Sequence, residues 1–130
     1  MHVKGFYLEM GPEECAIYAG CYMLEKPQLL AIRGHIAANA KAFKDIYSDK
    51  TFLKTYGEVL GEAQKRIDPE FKDAAEKEPL IFNKQFYIKH AFSMKQATSS
   101  NLVNYLVNTS KVAEPLQKFL EKAQLKTAKA

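Results

Sequence analysis

Tryptophan is absent from the 130 residues, cysteine occurs twice, and only two of the nineteen basic residues are arginine, Arg33 and Arg66. Each scarcity excludes something. No apolar run approaches the roughly 20 residues that span a bilayer, and no cationic segment leads into an apolar core at the amino end. A cytoplasmic chain without membrane contact is therefore expected. Cys15 and Cys21 lie six residues apart in a strand-like run. Extended chain holds them about 20 Å apart, whereas a disulfide needs Cα atoms within about 7 Å. They are read as small hydrophobes of the interior. The formal net charge of +4 and a pI near 9.0 suggest nucleic acid. Against that, the lysines are scattered among acids, and the planar arginine fork that reads phosphates and base edges is nearly missing. A solvated lysine surface is the better reading, with weak nucleic-acid binding ranked last. His2, His35 and His90 stand at no metal-ligand spacing, and no nucleophile motif or phosphate-cradling glycine loop occurs. No metal, no cofactor and no catalytic residue are expected.

What is present reads as one α+β domain over residues 1–130, in the order β-β-α-α-β-α. In residues 6–10, Phe6, Leu8 and Met10 share a face, and Gly11-Pro12-Glu13-Glu14 supplies a turn. Cys15 to Leu24 is apolar on both faces and suits an interior strand covered on both sides. Gly20 within it marks a bulge or a close backbone approach. Pro27 fits a helix first turn, and Leu29, Ile32, Ile36, Ala40, Phe43 and Tyr47 make one helical stripe. Ser48 and Asp49 break that helix and cap a second, with Phe52, Tyr56, Val59, Leu60, Ala63 and Ile67 as its stripe. Residues 70–78 are a loop or short helix. Ile81 to Phe92 is the third strand. Ser99 or Ser100 caps a final helix that Pro115 kinks or divides, and residues 126–130 fray. The sheet is thus a hairpin plus one strand against three to four helices.

The run Gly5-Phe6-Tyr7-Leu8, then Ala19-Gly20-Cys21-Tyr22-Met23, Pro27, Leu30 and Ile32-Arg33, resembles an uncharacterised bacterial family, domain of unknown function 2461. The resemblance continues through Phe43, Phe52, Lys65-Arg66, Pro69, Lys84 and Phe86, and closes with Pro115-Leu116 and Phe119-Leu120. It implies an architecture and no reaction. Members of that family are longer and carry an arginine-rich front-half stretch, R-x-x-R-D-x-R-F, which this chain lacks. It corresponds to the back half alone. Residues 1–4 are too few for a further strand on this reading. The hairpin must then pair with Ile81 to Phe92, with a second copy, or with a separate front-half polypeptide. An uncovered strand edge invites such association.

Three functions follow. The first is a non-catalytic interaction module that self-associates or joins a separate chain. The second is a protein binding an anion or acidic small molecule, conceivably an enzyme. There Arg33 falls at the border of the first buried stripe, where a guanidinium needs an acid, a carbonyl or a bound anion. Lys65, Arg66 and Lys84 would converge with it, and Tyr22 and Tyr87 would form walls. A structural ion pair at Arg33, and helix-end cations at Lys65 and Arg66, are the plainer alternatives. The third is the weak nucleic-acid contact already described.

Overall fold

The computed structural model describes residues 2–3 and 6–128. β2 (Phe6–Met10) and β3 (Cys15–Cys21) form the expected antiparallel hairpin, with Tyr7 opposite Tyr18 and Leu8 opposite Ile17. Gly11 N–H donates to Glu14 O at 3.0 Å and closes the turn. β4 (Phe86–Phe92) pairs antiparallel along the whole of β3, from Cys15 opposite Phe92 to Cys21 opposite Phe86. The front of the chain departs from expectation. β1 (His2–Val3) is a two-residue strand that pairs with Tyr7 and Phe6, giving the order β1-β2-β3-β4. His2 and Val3 therefore do contribute a strand, because two residues suffice to close the first two rungs of a ladder.

Helices occupy one face of this sheet. α1 (Lys26–Ala38) starts with Pro27 in its first turn, and Glu25 N–H donates to Gln28 Oε1 at 2.9 Å ahead of it. The single helix expected up to Tyr47 is two, because Asn39 (φ −135°, ψ 41°) leaves helical geometry and α2 (Ala40–Ser48) sets off anew. Its stripe still points inward, with Ile32, Ile36 and Phe43 fully buried. Asp49 accepts from Phe52 N–H at 3.1 Å and caps α3 (Lys50–Tyr56), as its position predicts. That helix stops eleven residues short of the expected Ile67. Gly57 adopts φ +76°, a left-handed conformation that ends helices. Residues 57–68 run extended beside β4. Leu60 N–H donates to Tyr87 O at 2.7 Å and so covers one rung at the outer edge of β4, while Gln64 N–H donates to Phe82 O at 2.7 Å, ahead of that strand.

After a 3-10 turn at Pro69–Phe71, α4 (Lys72–Lys77) realises the expected short helix. Pro79–Phe82 is a second 3-10 turn, so the third strand begins at Phe86 and not at Ile81. Ser93 caps α5 (Met94–Ala97) by accepting from Gln96 N–H at 3.1 Å, a helix that the sequence reading passed over. α6 (Leu102–Ala128) then runs unbroken through Pro115. Pro115 and Lys111, whose carbonyl loses its usual donor, are both exposed, on the solvent side of the helix where the missing bond costs least. Six helices among the described residues replace the three to four expected, because Asn39 divides the first stripe and the short α4 and α5 are added. The class, α+β, stands.

Alternation along the strands sorts the sheet into two faces. Ile17, Ala19, Phe86 and Ile88 point inward onto Ile32, Ile36, Phe43, Phe52, Leu116 and Leu120, forming one core. At roughly 25 cal/mol per Å² of apolar surface removed from water, such side chains each stabilise the fold by about 1.5–3 kcal/mol. The opposite face bears Tyr7, Glu9, Tyr22 and Ala91, all exposed, with Tyr18 and Tyr87 half-buried. β3 is interior to the sheet but covered on one side only, which corrects the reading of a doubly covered strand. Cys15 is buried and Cys21 partly so, both as free thiols. Gln124 Nε2 donates to Cys21 Sγ at 2.9 Å, and burial pushes that thiol's pKa up. No described helix is long and apolar enough to cross a membrane.

Candidate functional site

The open face of the sheet carries a groove of about 780 Å³, lined by Tyr7, Tyr18, Tyr22, Met23 and Tyr87 around Gly20. Period-two alternation puts these tyrosines together. Tyr22 and Tyr87 meet edge-on at 5.0 Å, Tyr7 and Tyr18 lie 6.0 Å apart, and Lys89 Nζ sits 5.7 Å from the Tyr18 ring centroid. Glu14 holds Lys89 at 2.9 Å, and that hydrogen bond is the main reason its pKa is raised. Gly20 is the floor (φ +111°). A Cβ there would stand 2.2 Å from Phe86 O, so the close backbone approach expected at this glycine is real. Met23, at the end of the run, is 91% exposed.

Around the corner of the same tyrosine lies a second cleft, of about 790 Å³. Tyr22, Leu29 and Leu30 form apolar wall, and Arg33, Gln64 and Lys84 supply polar groups. Arg33 is only 3% exposed. Its Nη2 donates to Gln64 Oε1 at 2.9 Å, Asn83 O at 3.2 Å and Phe82 O at 3.3 Å. Its Nε is buried with no hydrogen-bond partner among the described residues. The extended path of residues 57–68 is what brings Gln64 here. Burial lowers the Arg33 pKa, and the charge of Asp68 offsets this in part.

The six candidate residues are thus divided. Arg33, Lys84 and Tyr22 share the second cleft. Tyr87 lies in the tyrosine groove, touching Tyr22 across the ridge between them. Lys65 and Arg66 are exposed and line a third, separate cleft with Ile67 and Pro69. The expected convergence of all four cations on one pocket does not occur, because the segment that carries Lys65 and Arg66 is not a helix. For the same reason they are not helix-end cations. Gln64, Asp68 and Lys26, which also line the Arg33 cleft, escaped the sequence reading. Lys26 immediately precedes the Pro27 start, a signal that was available. Gln64 and Asp68 give none, since their placement depends on an unforeseen turn at Gly57.

The remaining polar interior is structural. His90 Nδ1 lies 2.7 Å from Thr55 O, and a carbonyl only accepts, so Nδ1 carries the proton. Nε2 then accepts from the Tyr105 hydroxyl. His35 is buried and packs against Phe119, ring centroids 4.4 Å apart and planes tilted by 50°. Glu78, 1% exposed, accepts from the Tyr47 hydroxyl at 2.7 Å and from Leu80 N–H at 3.3 Å. Among the described residues no group of three His, Cys, Asp or Glu is arranged to hold a metal.

These features define an α+β domain with two adjoining surface clefts, one aromatic and one cationic. The chain belongs to the family of conserved hypothetical proteins designated DUF2461, whose model matches residues 1–119. Neither the curated proteins nor the solved structures compared with it yield a match.

Proposed function

We propose that this chain is a cytoplasmic, non-catalytic association module, and that a second copy of itself docks on the open tyrosine face. The uncovered face carries the reading: its four tyrosines and one methionine form a continuous apolar patch on a sheet whose other side is fully packed. The patch is self-complementary in shape. Met23 is a protruding knob, and the groove over Gly20 beside it is a hole, so a two-fold axis lets each copy insert its Met23 into the other. It is also self-complementary in charge. Glu9 lies opposite Ala16 on the β2 side of the face, and Lys89 stands opposite Tyr18 on the β4 side. Stacking of two faces about that axis brings each Glu9 toward the other copy's Lys89.

Size-exclusion chromatography with light scattering is the test. At a loading of about 50 µM the chain runs as a dimer, corresponding to a binding free energy of roughly −6 kcal/mol or better. Met23→Asp, at a site too exposed to disturb folding, returns it to monomer. A wild-type chain that stays monomeric at that concentration overturns the proposal.

A further inference from the structure

Arg33 carries its positive charge into the interior with no carboxylate in contact with it among the described residues. Guanidinium stays protonated in proteins, and a buried charge is stable only when opposed or fully hydrogen-bonded. Here Asp68 opposes it only from a distance, and the hydrogen bonding is incomplete. Arg33 makes no ion pair among the described residues. Nη2 is shared among three neutral oxygens, and Nε has no acceptor. Nη1 also lacks a partner among the described residues, and it is not among the buried unpartnered atoms, so it keeps accessible surface. The side chain borders the 790 Å³ cleft, a volume within the usual range for small-molecule sites, about 300–1,000 Å³.

The cleft's other residues say what fits. Lys26, Arg33 and Lys84 face Glu25 and Asp68, leaving one positive charge in excess, which matches a monoanion better than a dianion. Lys84 is held only at 3.9 Å by exposed Glu62, so its ammonium is free to turn inward. Leu29, Leu30 and Tyr22 offer apolar wall to the rest of the molecule. We infer that this cleft binds a small organic acid, its carboxylate held by Arg33 and Lys84 and its apolar body lying against Leu29, Leu30 and Tyr22. A planar carboxylate suits the guanidinium fork.

The probe is benzoate, with benzamide as its neutral isostere and phenyl phosphate as the dianion, followed by nitrogen–proton NMR on the full chain. Benzoate should shift the Arg33 Nε–H and the Gln64 side-chain amide saturably. Benzamide should bind at least about tenfold more weakly, as loss of a charge-assisted hydrogen bond implies. Lys84→Gln, an exposed substitution that leaves the fold intact, should weaken benzoate about two- to fivefold, in keeping with a half-exposed ion pair. Arg33→Lys should abolish the saturable shifts; if that variant does not fold, the Lys84→Gln result decides. No saturable shift, shifts confined to other surfaces, equal binding of benzamide, tighter binding of phenyl phosphate, or indifference to Lys84→Gln would each overturn the inference. Because these readouts need no dimer, failure here is distinguishable from failure of the association reading.

Discussion

Two glycines of positive φ show how the same residue type does different work at different places. Gly20 has backbone φ +111°, and a side chain there would also collide with Phe86 O at 2.2 Å and Tyr87 Cα at 2.8 Å. Gly57 has φ +76° but open space around it. Gly57→Ala therefore meets only backbone strain, about 1–2 kcal/mol. Gly20→Ala meets the same strain and must also push β4 away from β3, for a loss of at least about 3 kcal/mol. Urea denaturation of the two variants checks this, and equal losses would refute the close approach. At Gly20 the sequence is informative, since a glycine inside an apolar strand run announces such a contact. At Arg33 it is half so. Helical spacing puts the guanidinium at the edge of the buried stripe, where it is found. Its acceptors come from residues 31 to 50 positions away, which no local pattern reveals.

Among the elements, legibility follows how far the deciding interaction lies along the chain. The hairpin, the Pro27 start and the Asp49 cap are local and are read directly. The apolar stripe of residues 52–67 fits a helix as well as it fits an extended segment touching β4, and only the left-handed turn at Gly57 chooses. The stripe across Asn39 survives the break, since both halves bury the same side. Two tyrosines tie these helices to the rest. Tyr56, on α3, donates to Thr109 O on α6 at 2.7 Å, and Tyr47, on α2, donates to buried Glu78. Both hydroxyls have raised pKa values, chiefly through burial; Glu78 adds to the effect on Tyr47, and Tyr105 to that on Tyr56. Unfolded tyrosine titrates near 10. A group that holds its proton more tightly when folded contributes its full stability below that value and loses it as pH climbs toward the folded one. The urea midpoint should thus fall steadily from about pH 10 upward, and the fall should be shallower in Tyr56→Phe, which at pH 8 is itself about 1 kcal/mol less stable. An identical slope in wild type and variant would show that this hydroxyl is not the group being titrated.

For the whole molecule, the distribution of charge separates association from nucleic-acid binding more sharply than its total. A net +4 spread as seventeen lysines and two arginines among fifteen acids makes no basic stripe, and the sheet's open face itself bears both signs, with Glu9 on β2 and Lys89 on β4. Polyanion binding would need many cations on one surface, and its affinity would fall by orders of magnitude with salt. The proposed association through the tyrosine face would rest mainly on apolar burial, with Glu9 and Lys89 as a smaller, screened contribution. Raising sodium chloride from about 50 mM to about 500 mM shortens the screening length from roughly 14 Å to roughly 4 Å. The dimer dissociation constant, followed by sedimentation equilibrium, should then rise only about three- to tenfold, and Glu9→Gln should remove most of that dependence while leaving the dimer in place. Insensitivity of the wild type to salt would place Glu9 and Lys89 outside the interface. A rise of a thousandfold would mean that charge, and not the Met23 knob in its groove, holds the copies together.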